Sequence, residues 1–410
     1  MRIAVVGGGV IGLCAAHALA QAGAEVVVVE RDRCGQAASL GNAGWVTPAL
    51  SAPLPAPKVM GQSLRWMLKP DSPLLIRPRL SPSFLAWCWR FWRSSSPGRS
   101  RAGLETILAL NRRTLELFDE LRANGVEFEM HSTGLVFVGL TEDVLSDELR
   151  ALTELGEAGY AGEIESLDRK ALDLFEPALS DAVAGGFHAK AERYVRPETL
   201  TGGLTDRLAH MGVRLLEDSE VRGLSRRGRW RVRTPHEELV VDGVVIAAGA
   251  WTARLLAPLG VHLPLEAAKG YSVTAVGRGT RPRHALYMLE AKVGCSPFQG
   301  AVRLAGTLEL AGIDLSLNRR RIEAVVRAAS TYLRDWQPEG VELEWAGLRP
   351  LMPDGLPVIG AVPGHDGLYV ATGHGMLGVT LAPATAAALA PLILEGRLLP
   401  VLEPLRFDRS

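Results

Sequence analysis

Residues 3–12, Ile-Ala-Val-Val-Gly-Gly-Gly-Val-Ile-Gly, decide how the chain begins to fold. Four apolar residues predict a short buried strand, and the glycines after it match the spacing Gly-x-Gly-x-x-Gly at Gly7, Gly9 and Gly12. An Ala-rich stretch with helical spacing follows, and residues 25–30, Glu-Val-Val-Val-Val-Glu, predict a second parallel strand. This order predicts the first unit of a doubly wound α/β sheet.

The three glycines have separate roles in binding a dinucleotide. Gly7 permits the tight turn, Gly9 leaves room for a pyrophosphate, and Gly12 lets helix and strand pack closely. The helix N-terminus presents N–H groups and a positive dipole end to the phosphates. Glu30, 18 residues after Gly12, is placed to accept hydrogen bonds from ribose hydroxyls. The unit leaves NAD and FAD open, because both contain an adenosine ribose.

The composition excludes several classes of protein. With 410 residues, 47% hydrophobic and 22% charged, the chain is neither disordered nor collagen-like, and it is long enough for one large or two interleaved domains. Lys plus Arg equals Asp plus Glu at 45 each, so no nucleic-acid partner is expected. Four cysteines without a Cys-x-x-Cys pair argue against a disulfide framework and a metal site, and favour a reducing compartment such as a bacterial cytosol.

Two apolar runs pose the question of membrane or export segments. Residues 3–24 lack charge, as a secretion signal does, but the glycines and the strand that follows favour the nucleotide-binding unit. Residues 376–394 are long enough to span a bilayer, yet they contain Pro383, Pro391 and many small residues. We interpret the second run as a buried helix.

Residues 54–101 form a basic, Trp-rich segment. It contains nine Lys and Arg but one acid, and Trp66, Trp87, Trp89 and Trp92 are interleaved with the basic residues. One interpretation is a solvated basic region with tryptophans in the core. The other is a peripheral contact with an anionic membrane, where Trp favours the interface. No nucleic-acid motif accompanies the segment.

Two later segments favour a flavin over a nicotinamide. Residues 240–250 predict a strand that ends in small residues before Trp251, so a cofactor can approach the backbone closely. Residues 367–373 predict another strand running into glycine, and a small-residue helix begins near Gly378. A helix N-terminus at this point can stabilise negative charge on a reduced isoalloxazine ring.

Five segments, in this order, give the chain a resemblance to a known family. They are residues 5–12 (Val-Val-Gly-Gly-Gly-Val-Ile-Gly), 39–44 (Ser-Leu-Gly-Asn-Ala-Gly), 269–272 (Lys-Gly-Tyr-Ser), 347–355 (Gly-Leu-Arg-Pro-Leu-Met-Pro-Asp-Gly) and 373–380 (Gly-His-Gly-Met-Leu-Gly-Val-Thr). The chain resembles the FAD-dependent amine and amino-acid oxidoreductases of the D-amino acid oxidase superfamily, and within it the bacterial D-amino acid dehydrogenase branch. It departs from the family at Trp45, where a polar residue is usual, and this leaves the substrate open.

The resemblance implies an α/β fold (α+β overall) in which a Rossmann-like FAD-binding domain is interleaved with an antiparallel-sheet substrate domain. The expected FAD-binding parts are residues 1–52, 190–260 and 340–410, the substrate domain residues 126–189 and 261–339, and the Trp-rich segment with a helix residues 54–125. Strand patterns at 134–139 and 301–306 and helix patterns at 106–122 and 319–333 agree with this division.

The resemblance also implies non-covalent FAD, because the surroundings of Cys295 do not match the cysteine that related sarcosine oxidases use. Val221 is expected to contact adenine through its backbone. The expected cofactor-binding residues are Gly7, Gly9, Val10, Ile11, Gly12, Glu30, Arg31, Ser39, Asn42, Ala43, Gly44, Val221, Ala248, Gly249, Trp251, Gly373, Gly375, Met376, Leu377, Gly378 and Thr380.

Three residues are candidates for the catalytic site. Pro350 holds Arg349 in an extended conformation, and a planar guanidinium binds a substrate carboxylate through two hydrogen bonds. Tyr271 is expected to donate a second hydrogen bond to that carboxylate, with a core tyrosine as the alternative. His374 is expected to contact the flavin or shape the pocket. It is not expected to act as a general base, since hydride transfer from a neutral amine to flavin N5 requires none.

The expected function is oxidative deamination of D-amino acids to 2-oxo acids and ammonia, with electrons passed to a quinone or another carrier. The expected location is the cytoplasm, with a possible peripheral contact at the inner face of the cell membrane through residues 54–101. The alternatives are an oxidase or dehydrogenase of D-hydroxyproline, glycine or sarcosine, a subunit of a hetero-oligomeric amine dehydrogenase, and a nicotinamide-dependent dehydrogenase.

Overall fold

A computed structural model describes residues 1–57, 74–77, 79 and 81–409. Its helices are α1 (Val10–Gln21), α2 (Pro82–Ser94), α3 (Pro97–Asn111), α4 (Thr114–Ala123), α5 (Glu142–Glu157), α6 (Arg169–Phe175), α7 (Pro197–His210), α8 (Thr252–Leu256), α9 (Arg319–Tyr332) and α10 (Gly378–Glu395). Its strands are β1 (Arg2–Val6), β2 (Glu25–Val29), β3 (Trp45–Val46), β4 (Leu74–Ile76), β5 (Met130–His131), β6 (Leu135–Gly139), β7 (Ile164–Asp168), β8 (Gly185–Ala189), β9 (Arg193–Val195), β10 (Arg214–Leu216), β11 (Gly223–Arg227), β12 (Arg229–Arg233), β13 (Glu238–Val241), β14 (Gly243–Ile246), β15 (Glu266–Arg278), β16 (Ala285–Met288), β17 (Val293–Phe298), β18 (Ala301–Leu310), β19 (Gln337–Leu351), β20 (Val358–Ala361) and β21 (Leu368–Thr372).

The first sheet joins strands from both ends of the chain. Among the described residues its order is β10-β2-β1-β14-β21-β20, and all of its pairs are parallel except β20 with β21. Ile3 and Val5 pack on one face against α1 and α10, while Ala4 and Val6 pack on the other against strands β12 and β13. Because both faces are buried, these strands read as continuous apolar runs rather than as alternating patterns.

The second sheet is larger and mainly antiparallel. In the described part of the chain its order is β19-β15-β18-β17-β16-β6-β8-β7, with β4 beside β18. The longest ladder joins β15 to β19 and places Ala268 opposite Arg349. The expected boundary at residue 340 falls inside β19, which runs from Gln337 to Leu351 and pairs with β15 of the second sheet along its length. The division into domains otherwise stays a prediction.

The apolar run near the C-terminus forms α10. The helical segment Gly375–Glu395 is long and apolar enough to cross a membrane, but 67% of its apolar 18-residue stretch is buried inside the protein. α10 packs along α1, and small residues such as Ala382 and Ala386 belong to the shared core. Their position in that core is typical of a central helix in a globular domain.

Glu192 is a buried acid that links three separate parts of the chain through hydrogen bonds. The Glu192 side chain, between β8 and β9, is fully buried; Tyr160 donates a hydrogen bond to Oε1 at 2.6 Å, and the backbone N–H of Ala49 donates to Oε2 at 3.3 Å. Burial raises the pKa of Glu192 from 4.5 to about 7, although these hydrogen bonds favour the charged form.

This burial predicts a pH-dependent stability. The folded state holds the Glu192 proton more tightly than the unfolded state does. The protonated carboxyl therefore contributes its full share to the free energy of unfolding below pH 4.5, and about 3 kcal/mol of this stability is lost as the pH rises through 7. We expect the melting temperature of Glu192→Gln to fall less between pH 5 and pH 8 than that of the parent protein. Glu154→Gln, at an exposed position, is the control and should follow the parent. An identical decline in Glu192→Gln would contradict the prediction.

Candidate functional site

A cavity of about 330 Å³ opens at the carboxyl ends of β1, β2, β14 and β21. Parallel strands of an open sheet bring their carboxyl ends to one edge, where ligands of this fold class bind. Val6, Val29, Ala247 and Ala371 line the cavity from those strand ends.

The glycine-rich loop forms the part of the cavity beside α1. Gly7 has φ +112° and lies so close to the carbonyl of Ala247 that a Cβ would clash with it. A Cβ on Gly12 would meet the carbonyl of Gly7, so this glycine brings α1 against the turn. Among the described residues, a Cβ on Gly9 would meet Ser39 Oγ alone, at 3.5 Å, and Gly9 lines the cavity. The loop therefore has the shape that a pyrophosphate requires.

Glu30 is fixed at the end of β2. Its Oε2 accepts a hydrogen bond from the Gly8 N–H at 2.6 Å, and its Oε1 accepts one from the Asp32 N–H at 3.1 Å. Each oxygen retains a lone pair, as binding to ribose hydroxyls requires. Beyond Glu30, the Arg31 guanidinium lies 4.6 Å from the ring centre of Trp251, and both residues line the cavity.

The loop at residues 39–44 forms another wall and is held on both sides. Ser39 Oγ accepts a hydrogen bond from the Val10 N–H at 3.0 Å, at the start of α1. From the second sheet, Arg303 Nη1 donates to the carbonyls of Leu40 and Asn42, each at 2.9 Å. The loop that carries Ser39 and Asn42 is therefore positioned by both sheets.

Most of the expected cofactor-binding residues lie together around this cavity. Those that line it are Gly7, Gly9, Val10, Ile11, Glu30, Arg31, Ser39, Asn42, Val221, Ala248, Gly249, Trp251, Gly375 and Gly378. Those that do not are Gly12, Ala43, Gly44, Gly373, Met376, Leu377 and Thr380.

Of the residues outside the lining, Gly44 and Thr380 pack within the protein and Met376 is exposed. Gly44 abuts the carbonyl of Val195, and Met376 is 53% exposed. Thr380 Oγ1 donates to the carbonyl of Trp45 at 2.9 Å, so it fastens the 39–44 loop to α10 from behind. A motif match identifies the segment, but it does not distinguish residues facing a ligand from those that pack behind them.

Several residues that line the cavity were not predicted from the sequence. They are Val6, Val29, Ala37, Ala38, Glu220, Ala247, Ala250, Arg254, Leu255, Pro350, Ala371, Thr372 and Val379. A signal was available for Val6, Val29, Ala247 and Ala371, since each lies at the carboxyl end of a predicted parallel strand. Arg254 and Glu220 lie outside any recognisable pattern.

Arg349 extends from β19 to the cavity. It is half-buried, and its Nη1 donates to the carbonyl of Thr307 at 2.9 Å. Across the described ranges no carboxylate forms an ion pair with it, so its other N–H groups are available to a ligand. Burial lowers the pKa of Arg349 to about 10, which leaves the guanidinium charged at neutral pH. The site thus presents a cation where an anionic ligand would supply the partner.

Tyr271 does not lie with Arg349. Its side chain is buried, and its hydroxyl donates to Glu309 Oε2 at 2.9 Å rather than lining the cavity. Arg349 lies opposite Ala268, and neighbouring residues of a strand point to opposite faces, so Tyr271 faces the side on which α9 packs. The structure therefore places the Tyr271 hydroxyl in the core and away from Arg349, which favours the core tyrosine over the expected second hydrogen bond to a substrate carboxylate.

His374 lines the cavity and is buried. Its Nε2 is 2.9 Å from Thr385 Oγ1, which fixes the ring. Burial lowers the pKa of His374 to about 3, so the ring is neutral and a weak proton acceptor at neutral pH. This environment supports a role in shaping the pocket and gives no support to a general base.

Two other residues bear on the cofactor and the substrate. Cys295 is fully buried with Leu286 and Leu304 in a hydrophobic cluster, outside the cavity lining, and burial raises the pKa of its thiol. Non-covalent FAD stays a prediction. Trp45 Nε1 donates to Ser296 Oγ at 2.9 Å, so its polar edge is already occupied within the protein.

Comparison with known proteins agrees with this geometry. The profile of the family described as "DAO: FAD dependent oxidoreductase" matches residues 2–392. The chain is 33% identical to a D-amino acid dehydrogenase of Xanthobacter autotrophicus over 96% of its own length and 95% of the relative's. Its fold is similar to the crystal structures of glycine oxidase from Bacillus cereus (TM-score 0.77, 22% identity, 100% and 99% of the two chains) and of L-proline dehydrogenase from P. horikoshii (TM-score 0.76, 20% identity, 99% and 97%).

The glycine-rich cradle, the acid at the end of β2 and the family match over nearly the whole chain agree on the cofactor. The chain belongs to the DAO family of FAD-dependent oxidoreductases.

Proposed function

We propose that this protein oxidises D-amino acids to 2-oxo acids and ammonia as a dehydrogenase. The observation that carries the proposal is Arg349, a charged, half-buried guanidinium at the cavity without an acid partner in the described residues. The D-amino acid dehydrogenase relative, 33% identical along almost the whole chain, supports the substrate class. FAD, when bound, would supply the hydride acceptor for the substrate Cα–H bond, and water would supply the oxygen of the 2-oxo acid as ammonia leaves.

The protein's part in this reaction is to bind and orient. Arg349 holds the substrate carboxylate through paired hydrogen bonds, which fixes the direction of the Cα–H bond. The carbonyl of Thr307 accepts from Nη1, which leaves the remaining N–H donors of Arg349 available to a ligand. His374 remains neutral beside the cavity, so it adds no positive charge that would compete for the carboxylate. Orientation, rather than proton transfer by a side chain, is the contribution we assign to these residues.

The proposed reaction predicts which compounds reduce the bound flavin. Under anaerobic conditions, D-amino acids should bleach the flavin absorbance, and L-amino acids should not. Recovery on admission of air should be slow, because we propose a carrier other than oxygen as the acceptor. Bleaching confined to glycine, sarcosine or D-hydroxyproline would replace the substrate class. Rapid peroxide formation at about one per turnover would contradict the dehydrogenase.

Arg349→Lys tests the carboxylate contact. A lysine keeps the charge but loses the planar pair of donors, so we expect KM for a D-amino acid to rise about 10- to 100-fold with a smaller change in kcat. Arg278→Lys, at the exposed end of β15 in the same sheet, is the matched control. An unchanged KM in Arg349→Lys, as in the control, would show that Arg349 does not bind the carboxylate.

We also propose that α2 contacts an anionic membrane surface that supplies a quinone acceptor. Phe84 and Trp87 on its inner face are buried against Ala268 and Leu351, in the helical spacing of an amphipathic helix. Its outer face carries Leu85, Trp89 and Trp92, which are 55%, 54% and 60% exposed, and the exposed cations Arg90 and Arg93. Trp at an interface and cations beside anionic headgroups are typical of peripheral helices.

Within this outer face, Arg93 lies 4.8 Å from the ring centre of Trp89, so charge and aromatic surface occur together. The basic residues Lys58, Arg65 and Lys69 and the aromatic Trp66 of the predicted segment lie outside the described residues. The proposal therefore rests on α2 alone.

Vesicle binding tests the α2 surface. The protein should co-sediment with vesicles rich in phosphatidylglycerol more strongly than with phosphatidylcholine vesicles, and added salt should weaken the binding. Trp89→Ser/Trp92→Ser should reduce the binding about 10-fold or more, since two interfacial aromatic anchors are lost. Leu174→Ser, which removes an apolar residue that is 79% exposed on α6, is the control and should bind normally. Equal loss in the control would contradict a specific role for α2.

A further inference from the structure

The tyrosine of the motif Lys-Gly-Tyr-Ser, Tyr271, does not line the cavity. The glycine of the motif, Gly270, lies beside Arg349. Gly270 is opposite Gly347 in the ladder between β15 and β19, and its φ lies outside the left-handed region. A Cβ added to Gly270 would overlap Nη1 of Arg349, with the other guanidinium atoms next in line. The Arg349 side chain therefore crosses β15 over the bare backbone of Gly270.

Beyond Gly270, the Arg349 guanidinium reaches an irregular part of β18. Between the pairs Lys269–Glu309 and Tyr271–Gly306 the register shifts, so that Gly270 faces two residues, Thr307 and Leu308. This is the arrangement of a β-bulge, which turns a backbone group out of the ladder. The group concerned is the carbonyl of Thr307, which accepts the hydrogen bond from Arg349 Nη1 at 2.9 Å.

Thr307 has an unusual conformation for its residue type. Its φ is +65°, and a β-branched residue in this region is strained. Its hydroxyl oxygen is buried and has no hydrogen-bond partner among the described residues, so the side chain does not compensate for the strain. What the conformation visibly provides is a carbonyl directed at the guanidinium.

We propose that Gly270 and Thr307 are positioning residues that form a seat for the Arg349 guanidinium and so determine how the substrate carboxylate is held. Gly270 supplies the space, and the Thr307 carbonyl orients one N–H, which directs the other donors toward the substrate. This inference rests on the proposed function, in which Arg349 binds that carboxylate. The two residues act on substrate binding through Arg349 and do not touch the reacting atoms.

Gly270→Ala is the direct test. The backbone accepts alanine, but its Cβ displaces the guanidinium, so KM for a D-amino acid should rise about 10-fold while kcat changes by less than about 3-fold. The inhibition constant of a simple carboxylate such as propionate should rise by the same factor. Gly202→Ala, at an exposed position in α7, is the matched control and should leave both constants unchanged, since no atom of the described part of the chain outside α7 lies within 4 Å of the added Cβ.

Two further variants keep the test decisive if Gly270→Ala is unstable. Gly270→Ala/Arg349→Lys should be more stable than Gly270→Ala alone, since a lysine has no planar group to collide with the Cβ. Equal melting temperatures would overturn the proposal. Thr307→Gly relieves the strain of the left-handed conformation, so its melting temperature should rise above that of the parent protein. An unchanged or lower melting temperature would show that Thr307 stores no strain and would overturn its role as a positioning residue.

The outcomes separate this proposal from the proposed function. If Arg349→Lys raises KM and a folded Gly270→Ala does not, Arg349 binds the carboxylate but the seat is wrong. If neither variant changes KM, both the seat and the carboxylate contact are wrong. A rise in both, with normal kinetics in Gly202→Ala, is the result that we expect.

Discussion

The structure depends on close approaches between backbones that only glycine permits. Gly12 lies against the carbonyl of Gly7, and Gly7 lies against the carbonyl of Ala247, so that β1, α1 and β14 meet at one point. A side chain at either glycine would push these elements apart and displace the edge at which Glu30 and the loop at residues 39–44 lie. The cavity is therefore a consequence of how tightly the first sheet closes on its first helix.

An ion pair with a buried arginine connects the second sheet to that cavity. The Arg303 side chain is fully buried on β18, and its Nη2 donates to Glu198 Oε1 at 2.8 Å in the first turn of α7. Its Nη1 donates to the two carbonyls of the 39–44 loop. A buried guanidinium needs partners for nearly all its donors, so Arg303 accepts few other arrangements. The surface that carries Arg349 is thus held in a defined relation to the loop that lines the cofactor cavity.

The parts of this arrangement that follow from local patterns were predictable. The spacing of Gly7, Gly9 and Gly12 and the valine strands predicted the first sheet, and the segment Gly-Leu-Arg-Pro with the family resemblance singled out Arg349. Parts that depend on register were not. Tyr271 belongs to a recognised motif, but the face it occupies follows from its pairing with β18 and β19. The single helix expected at residues 106–122 is divided in the structure between α3 and α4, with a break at Arg112 and Arg113. The break was not predicted, because the helical periodicity of the sequence continues across it.

The two faces of α2 differ in burial: the inner face packs on the second sheet and the outer face is exposed to solvent. On the inner face, Trp87 Nε1 donates to the carbonyl of Leu351 at 3.3 Å, two residues beyond Arg349 on β19. A change at Trp87 would disturb the strand end that presents Arg349, whereas Trp89 and Trp92 contribute little to the core because they are more than half exposed. Substitutions on the outer face can therefore leave Arg349 in place, so the proposed membrane contact of α2 and the proposed substrate binding can be tested independently of each other.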